Sequence, residues 1–216
     1  MTGVQTCALP ISTLGTVVVS TLTYVIAPYI VEHAKKRFSN NTEDDVDIVI
    51  KELEGSKVVY DKLESIKNIV NCDKIWIAQF HNGANYLYNA KSMQKFSVKF
   101  ETCDVGVAQT KEFYQNLPIH LYYRFISAIV ENSFLFIDFQ DTDAPKYDMD
   151  RLRDFYPIKS MYAFPIYSID DKLIGLLVLE YVNSHSVLER KQLDYLLGDI
   201  GALGGIIVNN ILKKYK

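Results

Sequence analysis

The sequence predicts an α+β fold: an antiparallel sheet flanked by helices and preceded by a transmembrane helix. Three observations carry that expectation. Two strongly apolar runs, Met161–Tyr167 and Leu173–Val182, are separated only by Ser168-Ile169-Asp170-Asp171-Lys172, so β-forming side chains flank a turn-forming Asp pair and read as a hairpin. A periodic segment rich in Leu follows at once and reads as an amphipathic helix. From Ile11 through Val31 there is no charged residue, a length close to the roughly 20 residues that cross a bilayer.

Taken from the start, Met1 to Ile11 resembles the translation of a sequencing-library adapter and is set apart from the fold, Cys7 with it. Residues 12–31 are then a single transmembrane helix. Pro28 and the hydroxyls at Ser12, Thr13, Thr16, Ser20, Thr21 and Thr23 are tolerated there, because Ser and Thr bond back to their own helix. Residues 32–42 form a basic and polar linker whose His33-Ala34-Lys35-Lys36-Arg37 run predicts the cytoplasmic side. The rest of the chain is therefore expected to be a cytoplasmic domain on a single-pass anchor.

Thr42 followed by Glu43-Asp44-Asp45 supplies an N-terminal acceptor and an acidic first turn, predicting a connecting helix over 43–71. Val46, Val49, Leu53, Tyr60, Leu63 and Val70 give it a near-heptad stripe. Such a stripe fits either a helix lying on its own domain or a stalk pairing with a second chain. A domain over 72–216 follows. Lys74–Phe80 reads as its first strand and Lys95–Glu101 as its second. In the latter, Phe96, Val98 and Phe100 alternate with Lys95, Ser97 and Lys99, which predicts one buried and one wet face. Helices are expected over Thr110–Gln115 and Ile119–Glu131 with Pro118 at their boundary. A strand at Phe134–Phe139, a loop at Asp141–Pro145 and a short helix at Met149–Tyr156 then lead into the hairpin.

The last helix, Val187–Lys216, holds Gly198, Gly201, Gly204 and Gly205. Each costs about 1 kcal/mol against Ala in an exposed helix interior. Close backbone approach by another helix is the natural compensation, and packing beside the 43–71 helix is expected.

Phe164-Pro165-Ile166, the run Leu173-Ile174-Gly175-Leu176-Leu177-Val178-Leu179-Glu180, then Leu188-Glu189 and Leu193-x-x-Leu196-Leu197 together resemble the closing half of a GAF domain. The helix, strand and hairpin order extends that GAF/PAS-like resemblance over roughly Asp73 to Leu212. It implies a sensory or interaction module, and a homodimer through helices 43–71 and 187–216. Phe80-His81-Asn82-Gly83 with Met93-Gln94-Lys95-Phe96-Ser97 is similar to stretches in GAF-like proteins of phage and uncultured microbes. The family's cyclic-nucleotide signature, Asn-Lys-x-x-x-Asp-Glu, is missing, as is a chromophore Cys followed by His.

Chemistry-bearing residues concentrate at the end of the first strand. His81, Asn82 and Gly83, then Tyr86, Tyr88, Lys95 and Ser97, combine aromatic and polar groups that can orient a small ligand, although Asn-Gly also suits a simple turn. The expected partner is an unidentified small molecule or protein, with no cofactor. No metal is expected, because His33, His81, His120 and His185 are scattered and the acidic run Asp138–Asp150 lacks the glycine and final glutamate of a calcium loop. A net charge of −3 leaves no footprint for nucleic acid. No catalytic residues are assigned. Two alternatives stay open: a thiol-based redox enzyme similar to the methionine sulfoxide reductases of GAF fold, with Cys103 attacking and Cys72 resolving, and a structural phage accessory protein that binds no ligand.

Overall fold

The computed structural model describes residues 50, 52–82, 94–141, 143, 147–148 and 157–207. The predicted transmembrane segment 12–31, the linker 32–42, the helix start at 43, the Met149–Tyr156 helix and the chain beyond 207 lie outside these residues. Among the described residues no helix is long and apolar enough to cross a membrane.

The elements follow in the order helix α1 (52–70), β1 (Lys74–His81), β2 (Lys95–Cys103), β3 (Leu117–Pro118), a 3-10 turn (Ile119–Tyr122), α2 (Tyr123–Asn132), β4 (Leu135–Asp138), β5 (Ser160–Tyr167), β6 (Leu173–Tyr181) and α3 (Arg190–Ile207). The strands form one six-stranded sheet in the order β3-β2-β1-β6-β5-β4, every neighbouring pair antiparallel. The hairpin forms where the sequence placed it, with Asp171 taking positive φ at its turn. Pro165 costs no ladder bond, because β4 pairs with β5 only as far as Ala163.

Both faces of the sheet are covered, and strand alternation divides the core in two. Ile75 and Ile77 of β1 join Leu177 and Leu179 of β6 and Tyr162 and Phe164 of β5 beneath α1 and α3. Trp76, Ala78 and Phe80 join Leu176 and Val178 beneath Phe125, Ile126 and Ile129 of α2. The expectation of a wet face on β2 is thereby corrected. A bulge corrects it further: Ile77 pairs with Phe100 and Ala78 with Val98, so Lys99 is the extra residue. Phe96 and Val98 therefore face the α2 side, whereas Phe100 is flipped to the α1 side, where its ring meets Tyr60 edge-on at 5.4 Å.

Helix α1 buries Val59, Leu63, Ile66 and Val70, a stripe at alternating spacings of four and three residues that lies on its own domain. Leu53 and Tyr60, placed on the stripe by the sequence reading, are exposed instead. The helix ends with Asn71 in the left-handed region and Cys72 N–H donating to Lys67 C=O at 3.2 Å, the Schellman arrangement. α1 packs beside α3 as expected, with Lys62 bonded to Asp199 at 2.7 Å and Gln192 Nε2 donating to Ile69 C=O at 3.2 Å.

α3 starts at Arg190 rather than Val187, with the Gln192 side chain reaching back to accept from Glu189 N–H at 2.9 Å, half of a capping box. Its glycines differ from the expectation. A Cβ on Gly204 would lie 2.0 Å from the Tyr167 carbonyl oxygen, while one on Gly198, Gly201 or Gly205 would meet nothing within 4 Å. The close approach is thus to a strand end, not to another helix, and involves one glycine of the four.

The predicted helix over Thr110–Gln115 is a series of turns. Besides turn bonds within it, such as Phe113 N–H donating to Thr110 C=O at 2.9 Å, the segment is tied to β2: Thr110 and Lys111 N–H both donate to Glu101 at 2.9 Å, and Val98 N–H donates to Tyr114 C=O at 2.8 Å. Asn116 then turns through positive φ into β3.

Candidate functional site

An opening sits where the edge of the sheet passes into α2. β3 pairs Pro118 with Lys95 and Leu117 with Phe96, and Ile119 N–H donates to Gln94 C=O at 2.9 Å. The chain then turns through the 3-10 segment into α2. Between these elements lies an open cleft of about 900 Å³ lined by Pro118, Ile119, Tyr123, Ile126 and Val130, with Gln94, Lys95, His120 and Ser127 as its polar groups. This is the size and make-up of a small-molecule site, apolar walls with a few placed polar groups.

Of the residues singled out from sequence, Lys95 lines this cleft. His81 pairs directly with Lys95 in the sheet register, but its ring is 1% exposed and its Nε2 lies 2.8 Å from Ser97 Oγ. Ser97 Oγ also accepts from Asn116 N–H at 2.8 Å. His81 and Ser97 thus form a buried brace holding the β1–β2 pair to the turn before β3. Asn82 is half-buried at the end of β1. Gly83, Tyr86 and Tyr88 lie outside the described residues. Pro118, Ile119, His120, Tyr123, Ser127 and Val130 were not anticipated as lining. Their only sequence signal is an apolar and polar alternation around a helix start, which core packing also produces.

The α2 side of the sheet also buries a charge network that sequence reading missed. Lys74, fully buried, lies 3.0 Å from Glu101 and 3.5 Å from Glu180 and bonds to Thr110 Oγ1. Trp76 Nε1–H donates to Glu180 Oε1 at 2.6 Å. Burial pushes the Glu101 carboxyl up, but donors from Thr110, Lys74 and Lys111 outweigh it and hold the group below the ordinary carboxylate range. For Glu180 burial wins over Lys74 and Trp76, and its carboxyl is raised. One ammonium therefore faces two carboxyls whose proton affinities are driven apart, and Glu180 is the one that takes up a proton more readily. The signal was a Lys and a Glu within largely apolar, buried strands; their pairing requires the sheet register.

Scanned as a sequence, the chain matches no family profile and no curated protein. Its structure does have counterparts of similar architecture. The photoproduct state of a GAF3 domain from Synechocystis sp. superposes with a TM-score of 0.56 at 14% identity, covering 74% of this chain and 99% of that one. The GAF domain of a two-component sensor histidine kinase from Bacillus halodurans gives 0.54 at 18% identity, covering 74% and 95%. A GAF domain/HD domain protein from Geobacter sulfurreducens gives 0.55 at 12% identity, covering 73% and 94%.

The fold is GAF-like.

Within the GAF-like domain the two cysteines differ in setting. Cys72 is buried, and burial pushes its thiol far up. Cys103 is partly exposed; burial, then the neighbouring Glu101 carboxylate, raise its thiol as well. Neither setting favours the thiolate that nucleophilic sulfur chemistry needs. Among the described residues no group of three His, Cys, Asp or Glu side chains converges as a metal site would require.

Proposed function

We propose that this chain is a sensory ligand-binding module of GAF-like fold, which takes a small molecule into the cleft beside Lys95 and passes the effect to its flanking helices. The cleft itself carries this reading. It combines about 900 Å³ of space, apolar walls and four polar groups at one end of the sheet, while α1 and α3 pack together on the opposite face. A ligand that alters the α2 side would reach those helices through strands packed on both faces. Coupling requires that it bind two states with different affinity.

On this reading residues 12–31 anchor the module in the membrane with the domain in the cytoplasm, and helices 43–71 and 187–216 join two copies. The uncharged run and its basic flank support the anchor. The exposed apolar side chains Leu53 and Leu197 support the pairing. The module is assigned no catalytic step, in keeping with two thiols whose surroundings favour the protonated form.

A thermal-shift screen of the full 216-residue chain in mild detergent, against metabolite, nucleotide and haem pools, tests the reading. A ligand at about 100 times its Kd adds about 2.7 kcal/mol of stability. The expected result is stabilisation by at least one pool that Val130→Trp, which fills the cleft, abolishes. Stabilisation by none, or stabilisation untouched by that variant, overturns it.

A further inference from the structure

We propose that the buried trio Lys74, Glu101 and Glu180 is a proton-controlled latch on the segment 105–113: with Glu180 protonated the segment is held against the sheet, and with Glu180 ionised its middle lifts. Little apolar burial holds this stretch. Within it Thr110 alone is buried, Val105 is fully exposed and Phe113 is 61% exposed. The bonds by which its middle reaches the sheet end on two of the three charges. Lys74 Nζ donates to Ala108 C=O at 3.3 Å and to Thr110 Oγ1. Glu101 accepts from Thr110 Oγ1 at 3.0 Å and from the Thr110 and Lys111 amides at 2.9 Å. The flanks are tied elsewhere: Asp104 N–H donates to Asp73 C=O at 2.9 Å, and Tyr114 C=O accepts from Val98 N–H at 2.8 Å. The middle can therefore lift without unpairing a strand.

The trio is out of balance by one charge. Lys74 Nζ lies 3.0 Å from Glu101 and 3.5 Å from Glu180, and with both carboxyls ionised one ammonium meets two negative charges in the core. Glu101 is satisfied by Lys74, Thr110 and Lys111. Glu180 Oε1 takes the Trp76 indole N–H at 2.6 Å, whereas Oε2 accepts no hydrogen bond among the described residues and is the oxygen on which a proton sits. Of the groups that face Glu180, Lys74 and Trp76 come from β1, Glu101 from β2 and the Tyr114 hydroxyl from the end of the turns. β5 sets the apolar Met161 opposite it, and the nearby Asp73 carboxylate is taken up by the Val182 and Asn183 amides. Burial raises the Glu180 carboxyl against the pull of Lys74 and Trp76, so its proton leaves above the ordinary carboxylate range. The charge then left in the core is costly unless water reaches it. Segment 105–113, with almost no apolar burial of its own, is the part that yields at low cost, as Lys74 is drawn to Glu180 and gives up Ala108 and Thr110.

The test titrates the full chain, in mild detergent, upward from about pH 4.3, the ordinary carboxylate value. Trp76 is the chain's one tryptophan, so its emission reports the charge on Glu180. One step in emission is expected, and it should be missing from Glu180→Gln, which offers the indole a neutral acceptor at every pH. Across the same step, amide exchange at Thr110 and Lys111 should accelerate roughly tenfold or more relative to Val98 and Asn116, as loss of a charge-assisted bond implies. Taking the ratio cancels the intrinsic pH dependence of exchange. In Glu180→Gln the ratio should stay flat. No step, a step that persists in Glu180→Gln, or a step that leaves the ratio unchanged overturns the latch. Should Glu180→Gln fail to fold, the step and the ratio in the unaltered chain decide by themselves.

Discussion

Trp76 donates its indole N–H to Glu180 Oε1 across 2.6 Å, in a part of the core where Glu180 is 1% exposed. The bond matters because Glu180 shares Lys74 with Glu101, so the indole supplies part of what one ammonium cannot. Buried ions are tolerated when neighbours satisfy them and become costly when a partner is removed. Lys74→Met should therefore lower the unfolding free energy by about 3–5 kcal/mol, read from urea unfolding. A loss under about 1 kcal/mol would show that the two carboxyls do not depend on Lys74.

The same network predicts a pH dependence. The Glu180 carboxyl is raised in the folded protein, so the folded state holds its proton above the unfolded value of about 4.3. Stability then falls as pH rises from that value through the folded one. Glu101 acts in the opposite sense: its carboxyl is lowered, and its contribution is lost as pH falls below the ordinary carboxylate range. Above the ordinary carboxylate range Glu180 dominates, and Glu180→Gln should gain in urea midpoint relative to the unaltered protein as pH increases. Parallel curves for the two proteins would contradict this.

Among the helix glycines, Gly204 and Gly201 should respond with opposite sign to the same substitution. Gly204→Ala would place a methyl 2.0 Å from the Tyr167 carbonyl oxygen, a backbone atom that cannot step aside, and should destabilise by about 1–3 kcal/mol. Gly201→Ala meets open space and should stabilise by up to about 1 kcal/mol through helix propensity. Thermal unfolding of the two variants decides the matter; equal shifts would mean that α3 does not approach β5 as closely as described.

Ser97 carries the brace beneath the cleft. Ser97→Ala leaves the Asn116 N–H and the His81 ring without the hydroxyl they share, a loss of about 1–3 kcal/mol for buried groups. Amide exchange at Asn116 should accelerate. Unchanged exchange there would separate His81 and Ser97 from the positioning of β3.

The hairpin was legible because both its runs are apolar enough to be buried on two faces and its turn residues are unambiguous. The packing of α1 against α3 was expected from the glycines of the last helix, although the one close approach they make, at Gly204, is to a strand end; the register of the α1 stripe was not legible, since Val59 and Tyr60 are both apolar and only contact with the sheet chooses between them. The flip of Phe100 was hidden, because a bulge is a property of two strands together and the alternation in β2 alone is regular. The turns at residues 111–116 were hidden for a related reason: the bond from Val98 N–H to the Tyr114 carbonyl exists only once β2 lies alongside the segment. In the site, Lys95 could be named from its neighbours, whereas the cleft wall comes from α2, whose outward face has no chemical signature.

The most direct test of the cleft as the ligand site is amide hydrogen exchange on the full chain, with and without a ligand that stabilises it. Slowed exchange at Gln94, Lys95 and through Ile119–Val130, accompanied by altered exchange in α1 and α3, is the predicted result. Protection confined to the hairpin turn and α3, or absent from α2, would contradict the account.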